Sequence, residues 1–302
     1  MHHINIDIET RSDVDIGKAG VYRYVQSETF AVLLIAYSVD GGRVKVIDVT
    51  KGEDESEVRC LLTDPGYRKH AFNAEFEWVC LRKHTGLPLD PAQWRDTMLH
   101  AAYCGYAGSL QSVGAAMGLP EDQKKLSTGR ALIRLFCTPH KHTTKDTRDW
   151  IQPADEPEKW NLFKEYNRQD VIAERTIWER LATCQVPEMV EIQWRQNLLM
   201  NARGVCVDTQ LVEGAIRAGD TAAQPLREEA QKLTGLENPN SPAQLKKYLT
   251  AQGCTVTTLR QEDLETLLAD ATLPAKVKRV LAIRKELGKS SIKKYESARN
   301  VV

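Results

Sequence analysis

The sequence predicts a mixed α/β domain that is followed by an all-helical segment. Apolar and polar residues alternate along residues 4–10 and 43–49, which is the period of a strand with one buried face. Residues 31–37 form a continuous apolar run, as expected for a buried central strand. From residue 187 onward the pattern is helical, and glycines and a proline separate the helices. Strands first and helices later therefore predict two parts.

The individual elements follow from the same patterns. Asp40-Gly41-Gly42 is a turn signal, so the two strands around it form a hairpin. Two shorter strands are predicted at 69–72 and 93–97. Helices are predicted at 53–62, 75–84, 97–104, 109–117, 158–181, 188–202, 209–234, 241–252, 261–270 and 274–299. The stretch 120–158 is polar and basic, with Lys124, Lys125 and Lys145 among its cations, and its pattern predicts no definite element. The part around Lys141 is interpreted as a mobile basic loop.

Composition restricts the class of protein. The 302 residues favour two domains, and 42% hydrophobic with 27% charged residues is typical of a globular chain. Without an apolar run long enough for a membrane span or a signal peptide, we expect a cytoplasmic protein with no membrane partner. The seven scattered cysteines include no CxxC pair and are expected to be reduced.

Charge is distributed unevenly along a chain whose net charge is zero. Residues 241–302 contain 12 Lys and Arg against 6 Asp and Glu. Such a segment either binds nucleic-acid phosphates or is simply a solvated helix surface, and charge alone does not separate these interpretations.

The first strand carries two acids, Asp7 and Glu9, within Ile4-Asn5-Ile6-Asp7-Ile8-Glu9-Thr10. Residues two apart on a strand point to the same side, and like charges at close range destabilise a sheet. A divalent cation between them would remove the repulsion, because Mg²⁺ and Mn²⁺ prefer carboxylate oxygen. This stretch alone is compatible with two interpretations, namely half of a metal site and a solvated strand face.

Two further stretches carry acids in suggestive positions. In Asn73-Ala74-Glu75-Phe76-Glu77 a predicted strand gives way to a helix. In the long helix, Tyr166 and Asp170 are four residues apart and lie on one helical face. A phenol and a carboxylate on that face can meet the strand carboxylates across a cleft.

These three motifs, D-x-E-T, N-x-x-F-acid and Y-x-x-x-D in this order, resemble those of the DEDDy 3′–5′ exonucleases. The resemblance implies a ribonuclease-H-like 3′–5′ exonuclease fold, a mixed sheet flanked by helices. It also implies two divalent ions, Mg²⁺ or Mn²⁺, held by Asp7, Glu9, Glu77 and Asp170, with Tyr166 orienting the attacking water. Thr10 and Asn73 are the implied substrate-binding residues. An ordinary strand-end threonine and a turn-closing asparagine remain equally good interpretations.

The second motif departs from the family pattern, because it usually ends in Asp and here ends in Glu77. Glutamate is longer and loses more rotamer freedom when it is fixed, which bears on the level of activity more than on the fold. Glu75 is a rival, although the spacing from Asn73 favours Glu77.

The C-terminal part extends the resemblance. Residues 203–208, 238–245 and 289–296 resemble segments that follow the exonuclease domain in family A DNA polymerases of phage and prophage type. We therefore expect an exonuclease domain at residues 1–185 and, at 186–302, a helical, thumb-like start of the polymerase domain. No later segment carries the palm or fingers residues, so no polymerase active site is expected in this chain.

The implied function is proofreading hydrolysis of DNA 3′ ends, releasing nucleoside 5′-monophosphates, in a bacterial or phage-infected cell. The implied partners are a single-stranded or frayed 3′ end and duplex DNA, the latter on the basic C-terminal helices. The alternatives are a catalytically weak or silent module that positions DNA or braces the polymerase domain, and a stand-alone RNA-trimming enzyme.

Overall fold

The computed structural model describes residues 1–120, 129–142, 144, 146–254, 256, 258–289 and 291–302. Lys124, Lys125 and Lys145 of the basic stretch, and Ser290 of the last motif, lie outside these residues. The chain divides into two compact units, Met1–Val205 and Cys206–Val302, which are described separately.

The first unit is built on a five-stranded mixed sheet. Its strands are β1 (His2–Arg11), β2 (Ala31–Val39), β3 (Lys45–Asp48), β4 (Tyr67–Ala71) and β5 (Trp94–Asp96), in the order β3-β2-β1-β4-β5. Strand β2 is antiparallel to β1 and β3, whereas β1, β4 and β5 run parallel. The mixed sheet, its flanking helices and the helical second unit confirm the predicted α/β, ribonuclease-H-like fold class.

The central strand β1 separates apolar from polar side chains. Ile4, Ile6 and Ile8 are buried in the largest apolar cluster of the unit, which includes Trp78. The alternate residues, among them Asp7, face the long helix on the other side of the sheet, since Asn167 of that helix bonds to Asp7.

The pairing of β1 with β2 shifts register near the C-terminal end of β1. Glu9 pairs with Leu34, but the next residue, Thr10, pairs with Val32. Leu33 is therefore an extra residue in β2, which is the arrangement of a β-bulge. Both Leu33 and Leu34 consequently belong to one apolar cluster, the cluster that also contains Tyr166.

Among the residues that the structure describes, eight helices of the first unit flank this sheet or follow it: α1 (Ile16–Tyr24), α2 (Ser56–Thr63), α3 (Ala74–Thr85), α4 (Thr97–Tyr103), α5 (Leu110–Ala116), α6 (Gly129–Phe136), α7 (Pro157–Arg180) and α8 (Glu188–Arg203). Helix α7 begins with Pro157 and Glu158 and ends with Arg180, which suits the helix dipole at both ends. Helices α1 and α6 were not predicted. Glycines interrupt the pattern of the first, and the second lies in the stretch 120–158, for which the sequence predicted no definite element.

Helix α8 belongs to the first unit, so the division falls later than the predicted boundary after residue 185. Leu198 of α8 is 1% exposed and lies in the same apolar cluster as the β1 isoleucines. The Tyr22 hydroxyl also donates a hydrogen bond of 3.3 Å to the carbonyl oxygen of Leu198. These contacts hold α8 against the sheet unit.

The second unit is helical throughout its described elements: α9 (Thr209–Thr234), α10 (Pro242–Ala251), α11 (Gln261–Ala269), α12 (Ala275–Leu287) and α13 (Ser291–Asn300). Its core includes Leu245, Leu249 and Leu281. The single helix predicted at 274–299 is wrong, because α12 ends at Gly288, a residue that weakens a helix interior. No helix among the described residues is both long enough and apolar enough to cross a membrane.

Candidate active site

A cleft of about 610 Å³ opens beside the C-terminal half of β1. All of the residues that the sequence motifs nominate line it: Asp7, Glu9, Thr10, Asn73, Glu77, Tyr166 and Asp170. They come from β1, from the start of α3 and from the middle of α7. The fold therefore brings to one place residues that are up to 163 positions apart in the sequence.

Three carboxylates form the centre of this cleft. Each of Asp7, Glu9 and Asp170 offers one oxygen, and these oxygens lie within 4.8 Å of one another. Glu9 and Asp170 are 7% and 3% exposed, so little water screens their charges. The period of two on β1 and the position of Asp170 on the facing side of α7 produce this convergence.

Glu77 is the fourth acid of the cleft and is held in the first turn of α3. Its side chain is buried, and its Oε2 has no hydrogen-bond partner among the described residues. Burial, with the negative charge of Asp7 as the next cause, raises the pKa of Glu77 well above its usual value. A cation near Oε2 would satisfy this oxygen and remove the repulsion.

The rival Glu75 lies outside the cleft. Its Oε1 accepts hydrogen bonds from the Tyr22 hydroxyl at 2.9 Å and from Asn201 at 3.2 Å. Residues two apart on a helix diverge by about 200°, so only one of the two glutamates can face the carboxylates on β1. The structure assigns that position to Glu77.

Tyr166 is 1% exposed and stacks on Phe163, with ring centroids 6.0 Å apart. Burial, followed by the charge of Asp170, raises the pKa of Tyr166, so its phenol keeps its proton and can donate it in a hydrogen bond. Gly129, the first residue of α6, lies against the Tyr166 ring at a position where a β-carbon would overlap the ring.

Sequence reasoning missed two polar supports of the carboxylates. The Asn167 side-chain amide donates a hydrogen bond of 2.6 Å to Oδ2 of Asp7. One turn beyond Asp170, the buried Glu174 accepts from Asn5 at 2.8 Å and from the Thr97 hydroxyl. Asn167 had a detectable signal, because it precedes Asp170 by three residues and so shares its helical face. Glu174 had the same kind of signal, because it follows Asp170 by four residues and so also shares its helical face.

The two nominated substrate-binding residues are in the cleft wall, and each also has a structural role. The Thr10 hydroxyl and the Tyr24 hydroxyl are 2.9 Å apart in a buried hydrogen bond. Asn73 has φ of 74° and ψ of 52°, a left-handed conformation that turns the chain from β4 into α3. Its backbone N–H donates to Asp96 at 3.1 Å. Its side chain makes no capping hydrogen bond to α3.

The donor set fits hard divalent cations. Carboxylate oxygens from four acids surround one volume, and no thiol or imidazole takes part in the cluster found among the described residues. The unpartnered Oε2 of Glu77 is an independent sign that a positive ligand belongs there. The residues present therefore suit Mg²⁺ or Mn²⁺ better than zinc.

Comparison with known proteins relates the chain to a phage DNA polymerase. No family model matches the chain. Over 297 residues, 98% of its length, the chain is 43% identical to a DNA polymerase of Bacillus phage SP02. The aligned part is 45% of that polymerase, so this chain spans less than half of its relative. The relation confirms the resemblance to phage DNA polymerases.

Solved structures give more distant likenesses. RNase D of Escherichia coli, an exoribonuclease involved in structured RNA processing, is 17% identical, with 97% of this chain and 69% of that chain covered and a TM-score of 0.45. The POL domain of Pol1 from M. smegmatis, solved with DNA primer-template and dNTP, is 16% identical, with 97% and 46% covered and a TM-score of 0.48.

Proposed function

With the relation to a phage DNA polymerase as the premise, we propose that this chain is the 3′–5′ exonuclease part of such an enzyme. It hydrolyses the 3′ end of a single or frayed DNA strand and releases nucleoside 5′-monophosphates. Asp7, Glu9, Glu77 and Asp170 bind two divalent ions, and Tyr166 orients the attacking water. The relation itself supports the coarser statement, a nuclease- or polymerase-related protein.

One observation carries this proposal: three carboxylate oxygens from β1 and α7 lie within 4.8 Å of one another in a cleft that also contains a protonated phenol. Such a cluster is costly unless a cation neutralises it. Bound divalent ions would supply Lewis-acid stabilisation of the phosphate oxygens and a more acidic water.

The chain's own side chains position the reactants. Asn167 donates to Oδ2 of Asp7 and so fixes the orientation of that carboxylate in the cleft. Tyr166, held by stacking on Phe163, presents its hydroxyl beside Asp170 and can hold a water in line with the scissile phosphate. Glu77, whose pKa is raised, would bind a cation in its deprotonated form and would lose its proton on doing so.

The remaining parts of the proposal concern the rest of the chain. Residues 1–185 constitute the exonuclease domain, and 186–302, which begin with the helix α8 that packs on the sheet unit, are the helical, thumb-like start of the polymerase domain. Duplex DNA binds the basic helices of that segment. The charge excess within residues 241–302 supports this assignment, since Lys and Arg side chains neutralise phosphates.

The test is degradation of a 5′-labelled single strand with Mg²⁺ or Mn²⁺, followed on a sequencing gel. The wild-type chain should shorten the strand one nucleotide at a time, and Asp7→Asn should abolish shortening while preserving side-chain shape. Glu77→Gln should slow it strongly. Glu75→Gln is the matched control on the same helix, with a carboxylate outside the cleft, and should retain the wild-type rate.

Shortening that Asp7→Asn leaves unchanged would refute the proposal. No shortening with either metal would favour a silent module that positions DNA. An RNA strand of the same sequence, degraded in parallel, separates the DNA enzyme from an RNA-trimming one, because preference for RNA contradicts the proofreading role.

A further inference from the structure

A second cavity, of about 660 Å³, lies on the same side of the sheet as the catalytic cleft but near the beginning of β1. We call it the arginine pocket after part of its lining: His3, Arg68, His70, Arg95, His100 and Arg195. All of these residues belong to the first unit. His3 precedes Asp7 by four residues, which is about 13 Å along a strand.

Strand pairing explains why these side chains meet. His70 of β4 pairs with Asn5 of β1 on one side and with Arg95 of β5 on the other, so the three side chains share one face of the sheet. His3 and Arg68 are a registered pair two residues earlier on the same strands and share that face. Cations on neighbouring strands repel, so this arrangement is costly unless something opposes the charge.

A buried hydrogen-bonded layer divides this pocket from the catalytic cleft. Glu174 of α7 accepts from Asn5 and Thr97, and Asn5 lies between His3 and Asp7 on β1. Thr97 lines the arginine pocket, whereas the catalytic carboxylates do not. The arginine pocket is therefore a separate recess.

The acids near the pocket leave two arginines without a partner carboxylate. Three acids line the pocket: Glu191 lies 3.6 Å from Nε of Arg95, Asp96 accepts backbone N–H groups at the start of α4, and Glu188 is the third. Among the residues that the structure describes, Arg68 and Arg195 have no carboxylate within 4.0 Å. Burial lowers the pKa of Arg95, and both of these arginines lower it further against the opposing effect of Glu191.

His70 supplies a buried polar atom in the same wall. It is 3% exposed, and its Nε2 lies 2.9 Å from Nδ1 of His3. Its Nδ1 is buried and has no hydrogen-bond partner among the described residues. Burial, and then the positive charge of its neighbours, lowers the pKa of His70 well below its usual value, so the ring is neutral. When His3 donates to Nε2, the single proton of His70 is on Nδ1.

We propose that the arginine pocket binds an anion that carries a phosphate group. Arg68 and Arg195 provide the opposing charge, and Nδ1–H of His70 provides a donor at the buried end. A phosphate has several oxygens that point in different directions, which suits donors that arrive from β4 and from α8. Arginine is the side chain best suited to phosphate, because its planar group presents several N–H donors.

The primary test is NMR of protein labelled with ¹³C and ¹⁵N at histidine, kept in EDTA and titrated with inorganic phosphate. The His70 ring signals, assigned with His70→Gln, should shift saturably, and chloride at equal ionic strength should not reproduce the shift. Arg68→Ala and Arg195→Ala should each weaken binding about tenfold, as expected for loss of a charged hydrogen bond. The matched control is Arg23→Ala, which removes a half-buried arginine outside the pocket.

A shift that does not saturate overturns the proposal, and so does binding that neither pocket variant weakens. Thermal melting of each variant shows whether it has folded. Because the titration uses neither metal nor hydrolysis, its failure is distinct from failure of the proposed exonuclease function.

Two further titrations identify the source of the phosphate group. One uses a nucleoside 5′-monophosphate, and the other uses a short single strand with phosphorothioate linkages. Tighter binding of the monophosphate, weakened by Arg195→Ala, identifies a free nucleotide as the ligand. Tighter binding of the strand, also weakened by Arg195→Ala, identifies the nucleic-acid backbone as the ligand. If neither binds in a manner that depends on Arg195, the proposal is wrong.

Discussion

Substitution of Gly129 tests whether the placement of Tyr166 controls the reaction. A β-carbon at residue 129 would lie 2.8 Å from Cδ2 of Tyr166 and still closer to Cε2 and Cζ. Carbon atoms in contact are about 3.5–4.0 Å apart, so Gly129→Ala requires the ring or α6 to move by at least about 1.5 Å. Tyr166 is closely packed, since it is 1% exposed and stacked on Phe163.

The expected effect on rate is larger than the effect on stability. A misplacement of about 1 Å in a catalytic group can reduce a rate by about 10²-fold. Overpacking a core position typically costs about 1–3 kcal/mol of unfolding free energy, which leaves the unit folded. We therefore expect Gly129→Ala to lower kcat for strand shortening about a hundredfold, with a smaller change in KM.

The control is Gly114→Ala in α5, where a β-carbon would make ordinary contacts of 3.5 Å with Leu119 and 4.0 Å with Ile177. This variant should retain the wild-type rate. The decisive measurement is a double-mutant cycle with Tyr166→Ala. Once the ring is absent, Gly129→Ala should cause no further loss of rate. A full additional loss in that background, or a wild-type rate for Gly129→Ala alone, would contradict the role assigned to the ring.

Three further predictions follow from the acids and their partners. Excess Mg²⁺ or Mn²⁺ should raise the melting temperature relative to EDTA, and Glu77→Gln should reduce that difference; identical curves with and without metal count against a metal site. Burial raises the pKa of Glu174 to about 7, so its contribution to stability is complete below about pH 4.5 and is lost as the pH rises through about 7. Glu174→Gln, which imitates the protonated acid, should have the same free energy of unfolding as the wild type at pH 4.5 and one about 3 kcal/mol higher at pH 8, measured by denaturant melting. Equal free energies at both pH values would contradict the raised pKa. Trp160→Phe removes the indole N–H that donates to buried Asp48 at 2.7 Å and should cost about 1–3 kcal/mol by denaturant melting; a loss no larger than a few tenths would show that the lysines near this carboxylate suffice.

Local periodicity was sufficient to predict the elements that carry the carboxylates. The alternation around Asp7 and Glu9 is a property of β1 alone, and the four-residue spacing of Tyr166 and Asp170 is a property of α7 alone. The predicted hairpin of β2 and β3 is confirmed for the same reason, since its turn and both strands are contiguous.

Features that depend on distant contacts were not predictable in this way. Glycine is needed at residue 129 because the Tyr166 ring packs against it, and that contact is not visible in the local sequence. Helix α6 itself was not predicted because it is short and flanked by polar sequence. Helix α8 carries the same kind of helical pattern as the second unit, and only the burial of Leu198 among the β1 isoleucines assigns it to the first. Local signals place an element along the chain, whereas packing decides which neighbours it has.

The pairing of β1 with β2 around Leu33 makes both strands sensitive to chain length. Side chains on a strand alternate, so removing one residue before Asp7 would turn the carboxylates toward the isoleucine core. On β2 the extra residue already reverses the alternation once, opposite the bond between Glu9 and Thr10. Deleting Leu33 would restore a regular ladder with Leu34 still opposite Glu9, and would remove one of the two leucines in the apolar cluster of Tyr166. Variation among related chains should therefore take the form of substitutions along these two strands, with insertions and deletions confined to the turns that join them.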